Sequence, residues 1–353
     1  MLAWLFLSAP IFAQELFQDV YDILQNKQDI SIEVEQNAIE SMLQTFDRAN
    51  GLQGSQLLSI AEYTKYKEYQ KGWREGYGLR VQLIPGKGFL VEGVIEGSYA
   101  MSSGVQSGDI VVSLHNTSLM GLESNAMLEV LYKDVRGETP IVLLRNGQQY
   151  QYVLQKSTFH MQQVSMNDVI SLHFFGEGVS KDVASIFQMH PNITKVIDLR
   201  DCEGGLWEEA FASLELFLSE GQILGYRKHL DGTSIPVISR NAAMISQPIV
   251  ILVNKGTKGP AEFFALVLQE YNRAVIVGER TEGFAADFTP NYTQSNDVLL
   301  LADTEILSAK KQSWNNIGVV PNMSISMNLY VPSYTGNRVD PQLQTALQLI
   351  SSP

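Results

Sequence analysis

The sequence predicts a multi-domain chain of mixed α/β (α+β) class, and three patterns carry that expectation. Residues 15–72 are polar with apolar side chains at helical spacing. Residues 77–156 form short β-rich runs broken by Gly and Asp. From Asp168 onward, continuous apolar strands alternate with helices. At 353 residues the chain is long for one compact domain and suits two or three. Residues 45% hydrophobic and only 18% charged belong to a folded chain rather than a disordered one.

Each segment has its own signals. In the first, Leu16, Val20 and Ile23 recur at helical spacing, as do Ile39, Met42, Leu43 and Phe46. In the second, Asn146-Gly147 joins two β-rich runs and marks a hairpin. In the third, Thr194 to Leu199, Pro248 to Val253 and Ala274 to Val277 read as buried strands. Helices follow the first two, through Glu208 to Leu218 and from Ala261 to Tyr271. Continuous apolar strands of this kind imply a sheet covered on both faces.

Charge and cysteine content narrow the function classes. Twenty-five basic against 38 acidic residues give a net charge of −13, which argues against wrapping nucleic acid. Cys202 is the single cysteine, so no internal disulfide forms, and the five histidines are scattered, so no Cys/His zinc site is expected. No metal and no cofactor are expected. Residues 1–13 carry no charged side chain and are too short to span a bilayer. Ile11 and Ala13 fit a cleavage site before Gln14, so a signal peptide and export are expected. The alternative is a buried N-terminal element. A lone cysteine suits a bacterial periplasm or cell envelope.

The middle segment carries two motifs in order: Gly93-Val94-Ile95-Glu96-Gly97-Ser98-Tyr99-Ala100, then Gly104-Val105-Gln106-Ser107-Gly108-Asp109-Ile110-Val111. Together they resemble a PDZ domain, which binds a peptide C-terminus by strand addition. The resemblance implies that Tyr77, Gly78, Leu79, Arg80 and Val81 supply the peptide-binding loop and strand. The expected segments are a signal peptide over 1–13, a helical segment over 14–72, a PDZ domain over 73–156 and an α/β domain over 157–353.

Further motifs extend the resemblance. Asp198-Leu199-Arg200-Asp201-Cys202-Glu203-Gly204-Gly205-Leu206 resembles Asp-Leu-Arg-x-Asn-Pro-Gly-Gly-Leu. Val277-Gly278-Glu279-Arg280-Thr281, Gly318-Val319-Val320-Pro321-Asn322 and Asp340-Pro341-Gln342-Leu343 resemble later motifs of the same family. On these residues the chain resembles the carboxyl-terminal processing (tail-specific) serine proteases, whose catalytic domain has a ClpP/crotonase-like fold. In that family a serine attacks, a lysine takes its proton, a glutamine orients the lysine and backbone N–H groups hold the oxyanion.

Carried over residue by residue, the resemblance places the nucleophile at Gly259, the base at Phe284 and the orienting residue at Phe288. The oxyanion loops become Gly204, Gly205 and Pro260. Glycine has no group to deprotonate, phenylalanine cannot accept a proton, and proline has no N–H. A tricorn-like alignment over Thr257 to Glu262 also puts the nucleophile at Gly259. Glycine suits an N-cap and proline the first helical position, so the replaced loop is coherent as structure. Phe284 and Phe288 are expected to fill a once-polar pocket with hydrocarbon. Thr257, Lys258, Cys202, Ser308 with Lys310, and His173 with any serine offer substitute chemistry with no motif behind it.

The sequence therefore implies a protease homologue that binds polypeptide C-termini without cleaving them, as pseudoprotease, adaptor or regulator. Its expected partners are polypeptide or protein C-termini, an active protease or an envelope protein. The alternative is an active serine-type hydrolase with a non-standard nucleophile in the same cleft.

Overall fold

The structure, a computed structural model, describes residues 19–25, 31–95, 98–133, 137–167, 169–191, 195–326 and 340–351. The signal peptide expected over residues 1–13 lies outside these. The chain divides into two compact units, Met1–Ile60 with Phe288–Asp303, and Ala61–Asp287 with Thr304–Pro353. This division cuts the chain differently from the four sequence segments, because part of a late hairpin goes with the N-terminal unit.

In the first unit, helix Ile32–Asn50 opens on Ser31, whose side chain accepts the Val34 N–H. It closes on Gly51 at φ 69°. Leu43 and Asp47 are its buried residues, while Met42 is 55% exposed. Asp47 accepts the Ser55 N–H at 2.9 Å and so steers the chain into strand Gln56–Leu58. That strand pairs antiparallel with residues 298–300, and Ser55 Oγ accepts the Ala302 N–H at 2.9 Å. The pairing explains why 288–303 belongs with the N-terminus.

In the second unit, a two-stranded ribbon of Trp73–Gly76 and Ser157–His160 frames an antiparallel sheet. Its strand order is Leu79–Ile84, Gly88–Val94, Ile110–Leu114, Glu138–Arg145 and Gln148–Gln155, with Thr117–Ser118 paired to the third. Leu79–Ile84 is an edge strand. Asn146 and Gly147, at φ 51° and 80°, form the expected hairpin turn. Phe89, Val91, Met127, Ile141, Leu143 and Leu154 form the core beneath this sheet.

The remainder is a six-stranded sheet of Val164–Met166, Ile170–Leu172, Val196–Asp198, Ile249–Val253, Ala274–Gly278 and Met323–Ser324. All pairings after the first are parallel. Alternate residues of Ile249–Val253 face opposite cores, since side chains alternate along a strand. Ile249, Ile251 and Val253 meet helices Val179–Met189, Trp207–Glu215 and Pro260–Glu270, whereas Val250 and Leu252 meet Ala346 of helix Pro341–Ser351. The expected double-faced sheet is present. Helix Pro260–Glu270 buries eight of its 11 residues, Phe263 and Phe264 completely. Each such ring contributes about 2–3 kcal/mol by burial, so packing holds this helix in place.

Candidate functional site

Strand Ile249–Val253 feeds the loop that ends at Gly259, and helix Pro260–Glu270 begins immediately after it. Gly259 has φ 55° and ψ −118°, a conformation that side-chain-bearing residues avoid. Room is not the limit: a Cβ built there would lie 3.6 Å from Phe284 Cδ1, an ordinary contact. Pro260 occupies the first helical position and contributes no N–H. The structure thus brings Gly259, Pro260 and Phe284 together. Phe288 is half-buried within the first compact unit, on strand Ala286–Tyr292.

Glu262 organises this region. It is wholly buried and accepts four hydrogen bonds: Gly259 N–H at 2.9 Å, Phe284 N–H at 2.8 Å, Gly283 N–H at 2.7 Å and the Thr281 hydroxyl. Thr281 Oγ1 in turn accepts the Val319 N–H at 2.7 Å. Three chain segments, around 259, 281–284 and 319, therefore converge on one carboxyl group. Burial pushes its pKa up, against the pull of the four donors. The motif Gly-Glu-x-Thr is read here as scaffolding, because its threonine supplies the hydroxyl link.

The glycine loop meets this site from another strand end. A Cβ on Gly204 would lie 3.4 Å from both Lys258 O and Pro260 Cδ, so the loops around 204 and 258–260 touch. Gly205 allows closer approach still, since a Cβ there would fall 2.3 Å from Phe175 O. Asn254 joins the two loops: its Oδ1 accepts the Asp201 N–H at 2.9 Å and its Nδ2 donates to Asp201 Oδ1 at 2.9 Å. Arg200 grips Asp198 at 2.6 Å and Asp340 at 2.8 Å, anchoring the start of helix Pro341–Ser351.

The substitute nucleophiles fare poorly. Thr257 is fully buried, its hydroxyl donating to Leu199 O at 2.8 Å and accepting the Asn254 N–H at 3.0 Å. Lys258 pairs with Glu282 at 3.0 Å and lies 4.8 Å from the Phe284 ring centre. Burial pushes the Cys202 thiol up to about 12, so no thiolate is present at neutral pH. Ser308 donates to Glu270 at 2.6 Å. Ser165 and His173 do meet, Oγ to Nε2 at 2.9 Å. Ser165 lies on the edge strand Val164–Met166 and His173 just past its antiparallel neighbour Ile170–Leu172, and only the cross-strand register reveals the pair.

The residues expected to bind peptide occupy a second groove. Among the described residues, Leu79–Ile84 pairs on one side only, with Gly88–Val94. Tyr77, Leu79 and Val81 line an apolar pocket with Phe89, Leu131 and Ile141. Gly78, at φ 80°, packs so closely on Ser98 that a Cβ would lie 2.0 Å from the serine Cβ. Arg80 instead lies over Gly93, in the sheet. Asp109 is buried and bound by Arg145 through contacts of 2.6 and 2.7 Å. Although burial pushes its pKa up, Arg145 and the Gln106 N–H hold it below the usual value. That ion pair was invisible in the motif because Arg145 lies a hairpin away.

Residues 169–325 match the family described as Peptidase family S41. The "Probable CtpA-like serine protease" of Staphylococcus saprophyticus is 24% identical over 346 residues, covering 93% of this chain and 68% of that protein. The protein of the same description in Staphylococcus aureus strain RF122 is 24% identical, covering 93% of this chain and 67% of that one. Among solved structures, the photosystem II D1 C-terminal processing protease superposes with a TM-score of 0.55 at 18% identity, covering 95% of this chain and 91% of that one. A candidate S41 protease of Bacteroides fragilis gives 0.59 at 17% identity, covering 84% and 86%. These likenesses bear out the mixed α/β fold.

Proposed function

We propose that this chain, whose residues 169–325 match peptidase family S41, binds polypeptide C-termini and does not cleave them. The observation that carries the reading is Gly259 followed by Pro260 at the head of the buried helix, with Phe284 against it. No hydroxyl is available at that point, the next residue has no N–H for an oxyanion, and a phenyl ring stands where a base is needed. The surrounding scaffold is intact, held by Glu262, Thr281 and Arg200.

Peptide binding falls to the PDZ-like sheet. Its edge strand Leu79–Ile84 offers unpaired backbone groups, and the pocket beneath takes an apolar last side chain. The chain acts on this reading as a pseudoprotease, adaptor or regulator, exported to the periplasm or cell envelope of a bacterium. Its partner is a polypeptide C-terminus, of an active protease or of an envelope protein. No helix among the described residues is long and apolar enough to cross a membrane. Incubating the purified protein with an unstructured polypeptide that has an apolar C-terminus tests the reading. Binding without new fragments supports it, and cleavage overturns it.

A further inference from the structure

The hairpin between strands Ile110–Leu114 and Thr117–Ser118 turns on His115 and Asn116, at φ 53° and 61°. Such a turn is most easily made by Asn-Gly, so a histidine at its first position needs another reason. The imidazole does not secure the turn. Nδ1 and Nε2 are both enclosed and neither has a hydrogen-bond partner among the described residues, while the backbone N–H donates to Pro140 O at 3.1 Å. Orphaned buried polar groups are uncommon and call for an explanation.

The ring lies next to residues that line the apolar pocket. Its centre is 6.4 Å from that of Tyr77, and Tyr77 and the neighbouring Leu114 both line the pocket. The Tyr77 hydroxyl is already engaged by Thr139 Oγ1 at 2.7 Å. Among the described residues, the charged groups acting on His115 are Lys133, just past helix Ser124–Tyr132, and Lys156, just past strand Gln148–Gln155. Both are cationic. Beside the pocket there is thus an imidazole with no partner among the described residues, in the positive field of two lysines. That combination complements a carboxylate attached to an apolar residue.

We propose that His115 is a recognition residue for the free carboxylate of a polypeptide C-terminus seated on strand Leu79–Ile84, and that it engages this carboxylate as imidazolium. This rests on the peptide-binding reading of the groove. In the empty groove, burial and the two lysines push the imidazole below its ordinary value, so it is neutral near pH 7. An arriving carboxylate raises it, and one proton passes from solvent to a ring nitrogen. Affinity therefore rises as pH falls through the value in the complex, and levels off below the value in the free protein.

The test is fluorescence anisotropy with a labelled peptide that lacks titratable side chains and ends in Ala-Leu-Val, as free acid and as amide, on the full chain. The free acid should bind about tenfold more tightly near pH 5.5 than near pH 8, the equivalent of a one-unit shift, and the amide weakly throughout. His115→Asn keeps a residue suited to positive φ and should make binding of the free acid independent of pH. If His115→Asn retains the pH dependence, or acid and amide bind alike, the inference is overturned while the groove still binds peptide. If neither peptide binds the native protein at any pH, the peptide-binding reading itself fails and this inference falls with it.

Discussion

On the proposed reading, the loop around Gly259 keeps the framework of an acyl-transfer site without its reactive side chains, whereas the edge strand Leu79–Ile84 keeps both framework and recognition surface. The two regions spend their buried polar groups differently. Near Gly259, the Glu262 carboxyl accepts four donors and Thr257 both donates and accepts, so the polar groups there serve the fold. At the edge strand, among the described residues, one face of the backbone is unpaired, the pocket is apolar, and His115 has no partner. A group already satisfied internally has little left to offer a ligand, whereas an unsatisfied one gains by meeting it.

The largest effect that sharpens this contrast belongs to Glu262. Glu262→Gln turns an acceptor into a donor facing backbone N–H groups in a buried site. The loss of stability should be about 3–5 kcal/mol, read as a shift in urea midpoint at constant slope. A near-neutral result would break the claim that Glu262 is the hub.

Next comes the Asp109–Arg145 ion pair of the antiparallel sheet that begins at Leu79–Ile84. Arg145→Met leaves Asp109 buried without its cation and should lower the midpoint of thermal unfolding near neutral pH. Because the folded Asp109 pKa is held down, its stabilising contribution is present above the unfolded value. It is lost as pH falls through the folded one. The difference between variant and native protein should therefore close below about pH 4. A difference that stays constant with pH would contradict the assignment.

Gly259→Ser should cost about 1–2 kcal/mol, because φ 55° suits glycine while the space for a Cβ exists. At the small end, Lys258→Ala removes an exposed pair with Glu282 and should change stability by less than about 1 kcal/mol. A large loss there would mean that the pair closes the cleft in earnest.

Particular residues show what could be read in advance. Gly259 and Pro260 at a helix start were legible because N-cap and first-turn preferences are local. The strand around Ile249–Val253 and the Asn146-Gly147 hairpin were legible for the same reason, with strand ends trimmed by a residue or two. The Thr281 link between Glu262 and Val319 was not, since it joins segments 19 and 38 residues apart that only tertiary packing brings together. Assignment of 288–303 to the N-terminal unit likewise depends on the pairing of Gln56–Leu58 with 298–300. His115 gave no periodic signal at all. Its placement follows from a turn conformation that propensity does not favour.

The central claim is tested most directly by single-turnover cleavage of an unstructured polypeptide, comparing the native chain with Gly259→Ser. The account predicts no fragments from either protein, because the serine would still lack a base at Phe284 and an N–H at Pro260. Fragments from the native chain, unaltered by Gly259→Ser, would contradict it.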